Sequence, residues 1–125
     1  MTKIWDMPTT EVIDYRYSRL FLPFSFYSDI LGCKSIIPAG FVMDWESIWR
    51  IRGSGKVEGL IHDYLVRTDS VPIVTKKIAA DVYLEFLDFF GTNYLIRYGK
   101  YWAVRGATGY FHKHNVLSTY EEIIK

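Results

Sequence analysis

The sequence is short of the residues that mark the commonest chemistries. It holds one cysteine, Cys33, which excludes an internal disulfide and a zinc site of the Cys-x-x-Cys kind. A lone cysteine is more often a small buried hydrophobe than a nucleophile. An excess of charge of one sign is missing as well: Lys and Arg together number 15 against 14 Asp and Glu, a formal net charge of +1. Lys and Arg form no run, so the cationic footprint that neutralises phosphates is missing and no nucleic-acid partner is expected. No segment reaches the ~18 apolar residues of a membrane span. The first residues, Met1 to Pro8, lack the positive flank and apolar run of a signal peptide, so a soluble protein made in the cytoplasm is expected. There is no Gly-x-Ser-x-Gly elbow, and Gly53-Ser54-Gly55-Lys56 lacks the first glycine of a phosphate loop.

What the chain has in abundance is apolar and aromatic surface. Half of its 125 residues are hydrophobic and 18% are aromatic, with ten Tyr and four Trp. That composition excludes intrinsic disorder, and the length suits one domain. So many Tyr and Trp exceed what a core of this size hides, and side chains with one apolar side and one wet edge suit a partner surface.

Hydrophobic spacing predicts an α+β fold: a small antiparallel sheet from the N-terminal half packed against two or three C-terminal helices. Residues 1–10 read as an arm, 11–110 as the core and 111–125 as a tail. Val12 to Phe26 alternates in part and breaks at Pro23, and Cys33 to Val42 is a second extended stretch. Pro38 and Gly40 place this second stretch at a sheet edge, or mark where it leaves the sheet. After the Gly53-Ser54-Gly55 hinge, Val57, Leu60, Ile61, Tyr64 and Leu65 give a helix over Val57 to Arg67. Thr75 caps a second helix that runs to Phe90 and stops at Gly91, with Asp81, Glu85 and Asp88 on its polar face. A third helix, about Tyr94 to Arg105, carries Leu95, Tyr98 and Trp102 together with Arg97, Lys100 and Arg105.

Groups suited to metal or proton chemistry come from three segments: Asp44 and Glu46 after the Pro-Gly edge, His62 and Asp63 on the first helix, and Asp81 on the second. Carboxylates and an imidazole from separate elements make up hard-metal or zinc sites, and also acid-base pairs. A structural role competes for each, with Asp63 pairing to Arg67 and Asp81 to Lys77 one turn away. His112 and His114, two apart, share a face if the tail is extended, but no third ligand accompanies them.

Four segments, in order, resemble the phage and prophage family known as Domain of Unknown Function 1353. Ile37-Pro38-Ala39-Gly40-Phe41-Val42-Met43-Asp44-Trp45-Glu46-Ser47-Ile48-Trp49-Arg50 is similar to a signature that usually reads Val-Pro-Ala-Gly-Phe-x-Thr-Asp-x-Ala-Ser-Ile-Pro-Arg. Ile61-His62-Asp63-Tyr64-Leu65-Val66-Arg67 resembles the family's His-Asp-Tyr-Leu-Tyr-Arg helix. Ala80-Asp81 with Phe86-Leu87 looks like its second helix, and Tyr101 to Gly106 like its closing Tyr-x-Ala-Val-Arg segment. The resemblance implies a phage or prophage origin and puts Asp44, Ser47, His62, Asp63 and Asp81 on signature positions, without implying an activity. The chain departs from the pattern at Met43, Trp45, Glu46 and Trp49, adding two indoles beside the acidic position.

Two functions are therefore expected in competition. In the first, the chain is a non-enzymatic virion component, tail-associated, or an accessory protein acting on a host protein. It would bind other phage structural proteins, the host protein or further copies of itself through exposed aromatics such as Trp45 and Trp49. It would be made in the host bacterial cytoplasm and carried into the virion. In the second, it is a small metal-dependent hydrolase in which Asp44, His62 and Asp81 hold a divalent metal and Asp63 or Glu46 acts as base.

Overall fold

The computed structural model describes residues 1–14, 17–43, 57–106 and 114–124. Among these residues six short strands precede four helices: β1 Lys3–Ile4, β2 Thr10–Val12, β3 Ser18–Leu20, β4 Phe24–Ser28, β5 Cys33–Ile37 and β6 Val42–Met43, then α1 Val57–Leu65, α2 Lys76–Phe89, α3 Tyr94–Gly106 and α4 Tyr120–Ile124. The α+β class expected from the sequence is observed, with two antiparallel three-stranded sheets in place of one, in the orders β1-β4-β5 and β2-β3-β6. The stretch from Val12 to Phe26, expected to be extended with a break at Pro23, is divided between them. Asp14 Oδ1 accepts from the Tyr17 amide at 2.7 Å and turns β2 back onto β3, and Pro23 separates β3 from β4.

Alternation along β4 explains its register. Phe24, Phe26 and Ser28 point inward while Ser25 and Tyr27 are half-buried, and Phe24 pairs with Ile37 and Phe26 with Ser35 across β5. The Pro-Gly segment then carries the chain from one sheet to the other. Gly40, at φ +91°, donates its amide to the Leu20 carbonyl at 2.8 Å, and Leu20 donates to Phe41 at 2.8 Å. A side chain at Gly40 would be strained by that positive φ. Downstream, β6 pairs with β3.

Both sheets and two helices share one core. Leu20, Phe24, Phe26, Ile37, Phe41 and Met43 pack against Leu60, Ile61, Tyr64 and Leu65 of α1 and Ala79, Val82 and Phe86 of α2. On its other flank α2 meets α3 through a smaller cluster of Ala80, Tyr83, Leu87 and Val104. Thr75 Oγ1 accepts from the Ile78 amide and caps α2, and Gly91, at φ +74°, ends it, as the spacing predicts.

The C-terminal residues, expected to form a tail, dock on the domain instead. Thr68 donates its amide to the His114 carbonyl, Asp69 Oδ1 accepts from the Val116 amide at 2.7 Å, and Val116 is buried. Helix α4 begins in a reciprocal capping box, with Glu122 N donating to Thr119 Oγ1 and Thr119 N to Glu122 Oε2. The N-terminal arm is likewise tied down, since β1 pairs with β4. Among the described residues no helix is long and apolar enough to cross a membrane.

Candidate functional site

Beyond its apolar packing, the end of the Pro-Gly segment is joined to the helices by a buried cation. Arg67, just past α1, donates Nη2 to the Val42 carbonyl at 2.8 Å, Nη1 to the Asn115 carbonyl at 3.1 Å and Nε to the Asp63 carbonyl at 3.2 Å. Its guanidinium lies 4.6 Å from the centre of the Phe41 ring. One cation thus ties the end of the Pro-Gly segment, α1 and the C-terminal segment together, which a planar five-donor fork does better than any other side chain. Asp44, Trp45, Glu46 and Trp49, the candidates that follow, lie outside the described residues, as do Ser47 and His112.

The remaining candidates occupy separate places. His62 is half-buried against Tyr83 of α2, with ring centres 5.3 Å apart. Withdrawal from water disfavours the imidazolium and pushes its pKa down to about 4. Asp63 is next along the helix and diverges from it by about 100°. Asp81 is engaged elsewhere: Lys77 Nζ meets its Oδ2 at 2.7 Å and the Tyr101 hydroxyl donates to its Oδ1 at 2.8 Å. Burial works against its charge, but hydrogen bonds from Lys77 and Tyr101 leave the net pKa below the ordinary carboxylate value. Asp81 and Tyr83 are two residues apart on α2, hence about 200° around its axis. The carboxylate therefore leaves α2 on the far side from the ring that meets His62. Among the described residues no group of three or more His, Cys, Asp and Glu is placed to hold a metal ion.

The rest of the polar face of α2 is also occupied. Glu85 receives the Ser28 hydroxyl on Oε1 at 2.5 Å and, on Oε2, the Asp29 amide at 2.7 Å and the Thr2 hydroxyl at 2.5 Å. Arg97 Nη1 meets Asp88 Oδ1 at 2.6 Å. These acids fasten α2 to the β4–β5 turn and to α3, a positioning role that their spacing alone did not reveal.

The unexpected surface is α3. Its inward side carries Lys100, only 2% exposed, and Val104, while Leu95 is 80% exposed, Trp102 65%, Tyr94 62% and Tyr98 36%. Leu95, Tyr98 and Trp102 fall within about 60° of one another around the axis, and Lys100 lies roughly opposite them. The apolar face of the helix thus looks outward. Neighbouring rings extend it: Tyr94 and Tyr98 centres are 4.7 Å apart, Tyr98 and Tyr101 6.4 Å, Tyr101 and Trp102 5.2 Å. Arg97 lies 5.6 and 5.7 Å from the Tyr94 and Tyr98 centres. The sequence signal was the stripe Leu95, Tyr98, Trp102, which periodicity identifies without saying which way it faces.

A concavity of about 350 Å³ lies between the N-terminal arm and the start of β4, lined by Trp5, Asp6, Met7, Leu22, Pro23 and Phe24 among others. Lys3 and Lys34 stand 4.6 and 4.4 Å from the Trp5 ring centre. No family model matches the chain, and neither a curated protein nor a solved structure does.

Proposed function

We propose that the chain is a non-enzymatic protein-binding component of a bacteriophage or prophage, built into the virion, with the tail as its first candidate place, or acting on a host protein. The observation that carries the binding part is the outward apolar face of α3, where Leu95 and Trp102 are the most exposed side chains of a helix that buries a lysine. Exposed patches of several hundred Å² mark interaction sites, and Tyr, Trp and Arg supply most interface energy. The phage part is supported by the four ordered segments that resemble the Domain of Unknown Function 1353 family. Trp45 and Trp49 extend the aromatic supply.

The test is incorporation of tagged chain into particles purified from a strain that carries the phage. The expected result is co-purification of the wild type and its loss in the Leu95→Ser/Trp102→Ser double variant. Equal incorporation of both, or of neither, would count against the virion reading.

One observation favours the hydrolase alternative. At neutral pH His62 is held neutral, the form in which an imidazole coordinates a metal. The described partners do not fit that reading, because the Asp81 carboxylate is bonded to Lys77 and Tyr101 on the other side of α2. Elemental analysis of chelator-free protein, compared with His62→Ala, decides it: a stoichiometric metal lost in the variant would favour the hydrolase.

A further inference from the structure

We propose that the partner of α3 is a second copy of the same chain, the two α3 helices packing antiparallel about a two-fold axis near Tyr98 and Gly99. The inference rests on the reading of α3 as a binding face and names what covers it.

Gly99 gives the first argument. It lies on the exposed side of α3, one turn from Leu95, and a Cβ built there meets nothing within 4 Å. Among the described residues no contact requires glycine there, although glycine in a helix costs about 1 kcal/mol relative to alanine. A close approach from outside supplies the missing reason.

Self-complementarity gives the second. In an antiparallel pair centred between residues 98 and 99, Leu95 lies opposite the partner's Trp102 and Tyr98 opposite the partner's Gly99. Each large ring then meets a small or aliphatic residue twice, which is what an isologous contact demands. Helix direction follows from charge. No acid lies on α3, whereas Arg97, Lys100 and Arg105 do, so parallel pairing would set Arg105 against its own copy; antiparallel pairing carries the two Arg105 side chains to opposite ends of the contact and opposes the helix dipoles.

Area gives the third. At their observed exposures, the three aromatics Tyr94, Tyr98 and Trp102, of ~150–250 Å² each, together with Leu95 present roughly 450 Å² per copy. A pair covers about 900 Å² from these side chains alone, and rim residues bring it to the ~1,000 Å² at which specific contacts begin. The dimer is therefore a reversible one, with a dissociation constant on the order of micromolar to tens of micromolar.

Sedimentation equilibrium from about 1 to 200 μM tests this across the expected dissociation range. The wild type should move from monomer towards twice the chain mass. Gly99→Gln should hold or raise the monomer's thermal midpoint, because glutamine is a better helix former than glycine and the position is open, yet weaken association ~10-fold or more by blocking the partner's Tyr98. Trp102→Ser should weaken it at least as much. A wild type that stays monomeric, or a Gly99→Gln variant that dimerises normally, overturns the pairing. If that monomer still needs Trp102 to enter particles, the binding reading survives while the pairing fails. A dimer lost in both variants supports the pairing, whatever the particle assay returns.

Discussion

Replacing Glu85 with alanine should be the most damaging change on the polar face of α2. The carboxylate takes three donors from two distant segments, the Ser28 hydroxyl, the Asp29 amide and the Thr2 hydroxyl. Ser28 is fully buried, so its hydroxyl cannot turn to water once the acceptor is gone. Hydrogen bonds to a charged group contribute ~1.5–3 kcal/mol, and an orphaned buried donor costs a further ~1–3 kcal/mol. The Asp29 and Thr2 donors are more exposed, and water replaces much of what they lose. The expected destabilisation is about 3 kcal/mol, from a total of roughly 6–15 kcal/mol for a chain of this size. In a thermal melt that is a fall of about 10–15 °C. Glu85→Gln, which keeps one carbonyl acceptor, should lose clearly less. Asp88→Ala, which breaks only the Arg97 pair at a carboxylate whose side chain is 73% exposed, should barely move the midpoint and serves as the control. Urea denaturation of the three variants measures the order. A loss at Glu85→Ala below about 1 kcal/mol, or one no larger than at Asp88→Ala, would refute the claim that this carboxylate clamps the helix to the sheet.

Arg67→Lys should cost about 2–4 kcal/mol in urea denaturation, since an ammonium cannot reach the Val42, Asn115 and Asp63 carbonyls at once. Thr75→Ala should cost about 1 kcal/mol through loss of the α2 cap, and Thr75→Ser should restore most of it. His62 has a folded pKa of about 4 against an ordinary 6.5. Between those values the unfolded chain binds the proton and the folded chain does not, so stability is full above pH 6.5 and falls as pH drops towards 4, by up to about 3 kcal/mol. Urea denaturation from pH 7 to 4.5 should show a shallower fall for His62→Gln than for the wild type, and parallel curves would refute the assignment.

Local signals carried much of the fold. Thr75 and Gly91 bracket α2 because a hydroxyl cap and a left-handed stop act within a few residues, and Pro38 with Gly40 marked where the chain leaves the first sheet. Helix α4 carried a local signal too, the Thr119-x-x-Glu122 box, but five residues give no periodicity to draw attention to it. Pro23 marks where the chain passes from one sheet to the other, but the hairpin that folds β2 back onto β3 rests on a turn at Asp14, which residue type alone does not distinguish from an acid on an exposed strand face. The candidate site was the least legible part. Asp81 and His62 lie on adjacent, packed helices, yet which way each carboxylate or imidazole turns depends on where Tyr83 and Tyr101 arrive from. Those are contacts between elements, and no spacing within one helix encodes them.

Helix α3 shows why the direction of a stripe matters more than its presence. An isolated helix with Leu95, Tyr98 and Trp102 on one side would be expected to turn that side inward, because covering apolar area contributes ~25 cal/mol per Å². Here Tyr101 and Val104 anchor it the other way, against Ala80, Tyr83 and Leu87, while Tyr101 donates to Asp81 and Arg97 holds Asp88. These contacts fix the rotation of α3 about its axis and commit Lys100 to the interior. The exposed stripe is then a consequence of how α2 holds the helix. Cutting the tethers should separate the two effects. In a Tyr101→Phe/Asp88→Asn variant the helix is free to roll, and hydrogen exchange should show α3 amides less protected while those of the central α2 stay as they were. Unchanged protection along α3 would mean that the apolar contacts of Val104 alone set its rotation, and that the polar tethers follow from that packing.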